Sequence, residues 1–184
     1  DRAVWQKSVD VLRASVDLCA ELGGGYLVHG SPAQRRVASP DDASRAEEAW
    51  MLAGEQAALA KVAYCIEPLA QPDCNFVNTL AEAAEIVRRI GNPSLRIMVD
   101  TLAASLMEPE PVADAIRRWM SSGLVAHVQF NDRNQRGPGQ GDDRFAPIVK
   151  ALRDTGCRGW IALEPFVYEH DGPTCAARMI GYVA

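Results

Sequence analysis

The chain is poor in the residues that mark several common classes of protein. Its 184 residues include only five cysteines and three histidines, and no two cysteines have the C-x-x-C spacing of a zinc or redox motif. An odd, scattered set of cysteines argues against a disulfide framework and favours a reduced, cytoplasmic protein. The five are Cys19, Cys65, Cys74, Cys157 and Cys175.

Long apolar runs and blocks of positive charge are also missing. No apolar stretch approaches the roughly 20 residues of a membrane-spanning helix, so no membrane partner is expected. The net charge is −5, and the absence of a basic patch argues against a nucleic-acid partner. No G-x-G-x-x-G or G-K-S/T loop follows an apolar run, which disfavours a nucleotide-binding fold. The remaining composition is that of an ordinary globular domain.

Helical and extended patterns alternate along the chain. Apolar residues recur at steps of three and four over residues 3–22, which predicts an amphipathic helix that three glycines end. Thr79 and Glu82 have capping-box spacing, which predicts a helix from there to about Ile90. Other helices are predicted over 40–61, 111–120 and 145–154 and from about Thr174, and strands over 26–29, 62–66, 95–99, 124–130 and 160–163.

This alternation predicts parallel strands with helical crossovers. The two candidate folds are a doubly wound sheet and a (β/α)8 barrel, and a barrel has eight strands in typically about 250 residues. Only five strands are predicted here. We therefore expect a single α/β domain over residues 1–184 that is a fragment of a (β/α)8 TIM barrel with about five βα units. On this interpretation three units are missing at the amino end, and part of the last helix at the carboxyl end.

Residues that can ligate a metal lie in or directly after four successive predicted strands. Glu67, Asp100 and Glu164 each follow an apolar strand directly, and His127 lies within the strand between the last two. In a barrel the carboxyl ends of the strands form the edge on which active sites are built. Three carboxylates together repel one another, and a divalent cation removes that conflict. The sequence therefore predicts a site for Mn²⁺, with Mg²⁺ and Co²⁺ as alternatives, rather than a structural zinc site.

Several short segments carry a family resemblance. CIEPL, NFVNT, MVDT, AHVQFNDRNQRGPGQG and GWIALEPF together resemble the xylose-isomerase-like TIM barrels, and within them the sugar epimerases of the D-tagatose/D-psicose 3-epimerase type. The resemblance covers nearly the whole chain and implies metal ligands at the four positions just named. It also implies that Arg133 holds substrate oxygens. Two positions depart from the family pattern, Ala103 in place of a histidine and Asp73 in place of a glutamate, and both positions contact or support substrate in the family.

The resemblance implies a divalent-metal-dependent isomerase or epimerase that moves a proton next to a ketose carbonyl through an enediolate. Glu67 and Glu164 are then the expected acid and base, and the ligand is a small sugar or hydroxy-keto acid. Gln129 shares the strand face of His127, and His29 ends the first predicted strand. The expected substrate contacts are Arg133, Asp73, Gln129 and His29.

Other functions stay open at this point. A hydroxypyruvate-isomerase-like enzyme is a close rival, because A-H-V-Q followed by a P-G-x-G loop looks similar there. An inosose or dehydroshikimate dehydratase would use the same base and metal to expel a hydroxyl. An apurinic-site endonuclease would need more histidines and less acidity, and Ala103 and Asp73 are compatible with a non-catalytic carbohydrate-binding protein. A homo-oligomer is expected by analogy with relatives.

Overall fold

The structure is a computed structural model that describes residues 2–184, so Asp1 lies outside the described residues. It divides into two compact units, Asp1–Ile97 and Met98–Ala184, and the expectation of a single domain stays a prediction. The first unit contains α1 (Arg2–Glu21), β1 (Tyr26–His29), α2 (Pro40–Ala60), β2 (Ala63–Ile66) and α3 (Leu80–Ile90). Strand β3 (Leu95–Asp100) begins in the first unit and ends in the second. The second unit also contains α4 (Thr101–Met107), α5 (Val112–Met120), β4 (Val125–Phe130), α6 (Phe145–Asp154), β5 (Ile161–Leu163) and α7 (Gly172–Val183).

The strands of the first unit are parallel, as the alternation predicts. β1 pairs with β2 from Tyr26 opposite Ala63 to His29 opposite Ile66, and β2 pairs with β3 through Ile66 opposite Ile97. Strand β2 is buried from Tyr64 to Ile66. A continuous apolar run is typical of parallel strands that are covered on both faces. Glu67, the residue that follows β2, therefore lies next to a buried segment of backbone.

Capping boxes begin two helices of the first unit. The box predicted at Thr79 is confirmed: its hydroxyl accepts from the Glu82 N–H at 3.2 Å, and Glu82 accepts in return from the Thr79 N–H at 3.1 Å. Ser39 and Asp42 form a second box at the start of α2. These reciprocal bonds satisfy backbone donors that the first helical turn leaves without partners, which fixes where each helix begins.

The core of the first unit lies beneath α1 and α2. Helix α1 buries Val9 and Val16 completely, seven residues apart on one face. Helix α2 buries Trp50 and Ala53, both at most 1% exposed. The amphipathic helix predicted over 3–22 is thus present, one residue displaced at each end. Among residues 2–184, no helix has both the length and the apolar character that a membrane crossing requires.

The second unit continues the parallel pattern. β4 pairs with β5 in parallel from Val128 opposite Ile161 to Phe130 opposite Leu163. The end of β3 is held beside β4 by the Thr101 hydroxyl, which donates to the Asn131 carbonyl and accepts from the Asn131 N–H, each at 2.8 Å. These bonds fix the carboxyl ends of two strands that carry predicted site residues.

Two helices differ from the sequence-based expectation. Helix α4 was not predicted, because T-L-A-A-S-L-M follows β3 without a glycine, a proline or a polar linker to separate strand from helix. Helix α7 begins at Gly172 instead of about Thr174, since Asp171 accepts from the Thr174 N–H at 2.7 Å and caps the helix earlier.

Candidate active site

Glu67 is the residue that follows β2, and it is 7% exposed. Its backbone N–H donates to the His29 carbonyl at 3.4 Å, and its own carbonyl accepts from the Arg35 guanidinium. The Glu67 carboxylate lies against the backbone of Gly30, where an added Cβ would overlap Oε2 and come within 2.9 Å of Cδ. Position 30 therefore needs a glycine so that this carboxylate keeps its place.

Asp100 ends β3 and is buried, with 5% of its surface exposed. Its Oδ1 accepts from the Ala103 N–H at 2.8 Å and caps α4. Its Oδ2 has no hydrogen-bond partner within residues 2–184. Burial, with a smaller contribution from the charge of Glu164, raises the pKa of Asp100 to about 7. A buried carboxylate oxygen without a partner is costly unless a proton or a cation meets it.

Glu164 follows β5, where its backbone N–H donates to the Phe130 carbonyl at 3.1 Å. The residue is half-buried, and burial raises the pKa of its carboxyl. One carboxylate oxygen of Glu164 lies within 4.8 Å of one of Asp100. Two acids this close, both with raised pKa values, fit a divalent cation, which would lower the pKa of both.

His127 and Gln129 lie on β4, two residues apart and so on the same face of the strand. Burial lowers the pKa of His127, which favours the neutral imidazole that metals bind. Among the described residues, His127 does not belong to the cluster of carboxylates that contains Asp100 and Glu164. The predicted role of His127 as a metal ligand therefore rests on its position on β4. Gln129 is 8% exposed, and its Oε1 has no hydrogen-bond partner in the described part of the chain.

His29 ends β1 and is engaged in a local network. The Trp50 indole N–H donates to its Nδ1 at 3.1 Å, and the Tyr64 hydroxyl lies 2.6 Å from the same nitrogen. An indole nitrogen can only donate, so Nδ1 is unprotonated and accepts. Burial, followed by the charge of Arg35, lowers the pKa of His29 to about 4. The ring is therefore neutral near pH 7, and its predicted contact with substrate stays a prediction.

Two further predicted substrate contacts lie at the surface. Arg133 is paired with Asp143: its Nε is 2.8 Å from Asp143 Oδ1, and its backbone N–H donates to Oδ2 at 2.8 Å. Its side chain is 56% exposed. Asp73 is exposed in the turn that follows Pro72. Their contacts with a substrate also stay predictions.

Sequence reasoning missed two residues near Glu67. Gly30 follows β1 without any motif, and only the close approach of the Glu67 carboxylate reveals its importance. Arg35 stands in the loop S-P-A-Q-R-R, where an arginine reads as a solvated charge, yet it is 1% exposed. The one available signal was the presence of two adjacent arginines in a short loop between apolar elements.

Parallel strands that alternate with helices, three of which end in or lead into an acidic residue, define an α/β protein. The chain belongs to the Xylose isomerase-like TIM barrel family, whose profile matches residues 1–181. This confirms the predicted fold class, a partial (β/α)8 barrel, and the predicted family.

Named relatives are ketose 3-epimerases. The chain is 26% identical over 160 residues to the D-psicose 3-epimerase of Ruminiclostridium cellulolyticum, covering 86% of this chain and 54% of that protein. It is 28% identical over 173 residues to the L-ribulose 3-epimerase of Mesorhizobium japonicum, covering 92% and 57%. A structure of D-allulose 3-epimerase from Methylomonas sp. in complex with D-allulose superposes with a TM-score of 0.85 at 20% identity, covering 100% and 70%. The last likeness shows the fold alone, and the chain spans little more than half the length of the two curated relatives.

Proposed function

We propose that the chain forms the catalytic part of a divalent-metal-dependent sugar isomerase of the 3-epimerase kind. The observation that carries this proposal is the pair formed by buried Asp100 and half-buried Glu164, with carboxylate oxygens within 4.8 Å and both pKa values raised. Such a pair needs a neutralising proton or cation near pH 7. The relatives named as 3-epimerases support epimerisation of a ketose as the proposed reaction.

The proposed ligands are Glu67, Asp100, His127 and Glu164. Oxygen donors with one imidazole suit Mn²⁺, and Mg²⁺ and Co²⁺ are the alternatives. The partnerless Oδ2 of Asp100 supports this fit. Glu67 follows β2 and Asp100 ends β3, and in the expected barrel the carboxyl ends of the strands form the edge on which active sites are built. When bound, the cation supplies Lewis-acid stabilisation of negative charge on a carbonyl oxygen.

The two glutamates are the proposed proton carriers. One removes a proton from the carbon next to the carbonyl, and the other returns a proton to the opposite face, which inverts that carbon. Burial raises the pKa of the Glu164 carboxyl in the metal-free chain, and general acid–base catalysis typically contributes about 10²–10⁴-fold in rate. Asp100 is held rigid by its bond to the Ala103 N–H, so its proposed part is to position the site.

Substrate recognition is proposed for Gln129, His29, Arg133 and Asp73. The free Oε1 of Gln129 supports an acceptor role towards a sugar hydroxyl. Arg133 would have to exchange its ion pair with Asp143 for substrate oxygens. The substrates named for the relatives, D-psicose, L-ribulose and D-allulose, make a ketose the first choice.

The test is incubation of the chain with Mn²⁺ in D₂O and a panel of D-psicose, L-ribulose and hydroxypyruvate. We expect a C3-epimeric ketose that carries deuterium at the inverted carbon, detected by chromatography and mass spectrometry. A product that has lost water would indicate a dehydratase, and turnover of hydroxypyruvate alone would indicate the rival isomerase.

The matched variants are Glu164→Gln and Glu55→Gln, the latter an exposed position on α2. Glu164→Gln should lower kcat by roughly 10²–10⁴-fold because a proton carrier is lost, and Glu55→Gln should behave as wild type. Near-wild-type turnover by Glu164→Gln would overturn the proposed role.

A further inference from the structure

A cavity of about 500 Å³ in the first unit is lined by none of the four proposed metal ligands. Its walls come from the amino-terminal halves of α1 and α2 and from the loop between β1 and α2. Trp50 and Phe76 contribute an aromatic wall, with ring centroids 5.6 Å apart and planes inclined by only 2°. The volume lies in the range of cavities that hold small organic molecules.

The charged side chains of this cavity are mostly positive. Four basic residues line it, Lys7, Arg35, Arg36 and Arg45. One acid lines it, Asp42, which accepts from the Arg45 guanidinium at 2.5 Å and from the Ser39 hydroxyl at 3.0 Å. His29 also lines the cavity, and its ring is neutral near pH 7. The cavity therefore carries an excess of positive charge, which favours an anion.

Arg35 is the residue that makes this cavity a built site. Its side chain is 1% exposed, and one nitrogen, Nη2, donates to the Glu67 carbonyl. Its Nε and Nη1 have no hydrogen-bond partner within residues 2–184. The guanidinium carbon lies 5.1 Å from the centroid of the Trp50 ring, which orients the planar group. A buried guanidinium with two unsatisfied donors has a large desolvation cost, which an anion that accepts a charge-assisted hydrogen bond from it would offset.

We propose that this cavity binds the anionic group, a phosphate or a carboxylate, of a small organic ligand, with Arg35 as the principal donor and Trp50 and Phe76 against its apolar part. The site goes beyond the proposed epimerase function and needs no metal ion. Arg35 donates to the backbone carbonyl of Glu67, so the anion site lies beside a proposed catalytic residue. A substrate held by the catalytic residues would then carry its anionic group at this site.

The experiment is isothermal titration calorimetry of the chain in EDTA with D-fructose 6-phosphate, D-gluconate, inorganic phosphate and uncharged D-fructose. We expect D-fructose 6-phosphate or D-gluconate to bind at least about tenfold more tightly than D-fructose, since charge-assisted hydrogen bonds are the strong ones. The order of the two organic anions separates a phosphate site from a carboxylate site. Equal binding of charged and uncharged sugars, or binding of neither, would overturn the proposal.

Arg35→Met removes the charge with similar volume, and Arg153→Met removes an exposed arginine from α6 as the matched control. The first should weaken the preferred anion by about tenfold or more, and the second should leave its affinity unchanged. Unchanged affinity in Arg35→Met would contradict the assignment. If that variant does not fold, the wild-type comparison of charged with uncharged sugar decides the question. Because EDTA is present throughout, a failure here is distinct from a failure of the metal-dependent activity.

Discussion

Asp100 shows how one side chain serves both folding and chemistry. Its Oδ1 caps α4 through the Ala103 N–H, and its Oδ2 has no partner within residues 2–184. The same burial that fixes the group raises its pKa to about 7. Burial of this carboxyl group lowers the stability of the fold at neutral pH, but it leaves one oxygen that can bind a ligand. Carboxyl groups with raised pKa values are common at functional sites.

The first prediction concerns the pH dependence of stability in EDTA. The folded-state pKa of Asp100, about 7, lies above its ordinary value of 3.8, so the folded protein binds this proton more tightly than the unfolded chain. The contribution of Asp100 to the free energy of unfolding is therefore highest at low pH, and it falls as the pH rises from about 4 to about 7. His29 works in the opposite sense below about pH 6.5, because its pKa is lowered to about 4.

A comparison with Asp100→Asn reports the titration of Asp100 together with its coupling to Glu164, because His29 is present in both proteins. Urea unfolding in EDTA should show the variant gaining stability relative to wild type as the pH rises from about 4 to about 7, by up to about 4 kcal/mol. A stability difference that stays constant across this range would contradict the raised pKa.

The second prediction concerns the contact of Gly30 with Glu67. A Cβ in Gly30→Ala would overlap Glu67 Oε2, so the carboxylate must move or the strand must shift. We expect a loss of stability of about 1–3 kcal/mol together with weaker Mn²⁺ binding, measured by urea unfolding and calorimetry. Gly25→Ala, at the other end of β1, is the control, because a Cβ there meets nothing within 4 Å. Equal behaviour of the two variants would show that the Gly30 contact has no role.

At the scale of elements, prediction succeeded where local signals were strong. The Thr79 capping box and the alternation of strands with helices both follow from local physics. Helix α4 was missed because its cap is Asp100, a residue that the pattern had assigned to a strand end and a metal. Arg35 was missed because its burial depends on α2 packing above the loop, which no local pattern encodes.

The third prediction tests the cap of α3. Thr79→Ala removes the acceptor of the Glu82 N–H and should lower the free energy of unfolding by about 1 kcal/mol. Ser15→Ala is the control, since the Ser15 hydroxyl only donates to the Val11 carbonyl inside α1 and alanine is the better helix former. In urea unfolding, the free energy of unfolding should thus fall in Thr79→Ala and stay the same or rise slightly in Ser15→Ala. A Thr79→Ala variant as stable as Ser15→Ala would contradict the role of the cap.

At the scale of the whole molecule, the alternation of elements was enough to predict the α/β class, and the family profile over residues 1–181 confirms it. The acidic strand ends were equally visible in the sequence. Substrate identity was not, because the sequence shows the proposed contacts Arg133 and Gln129 only as residue types. The ion pair of Arg133 with Asp143 and the burial of Gln129 needed the structure. The chain also covers only 54% and 57% of the two curated relatives, so its own activity is the proposal that most needs measurement.

The most direct measurement is a titration of the metal-free chain with Mn²⁺ near neutral pH, followed by electron paramagnetic resonance and calorimetry. We expect one ion per chain, with affinity lowered by about tenfold or more in Asp100→Asn and in Glu164→Gln, and unchanged in Glu55→Gln. Failure of the wild-type chain to bind Mn²⁺, or equal affinity in all four proteins, would contradict the claim that these strand-end acids hold a cation.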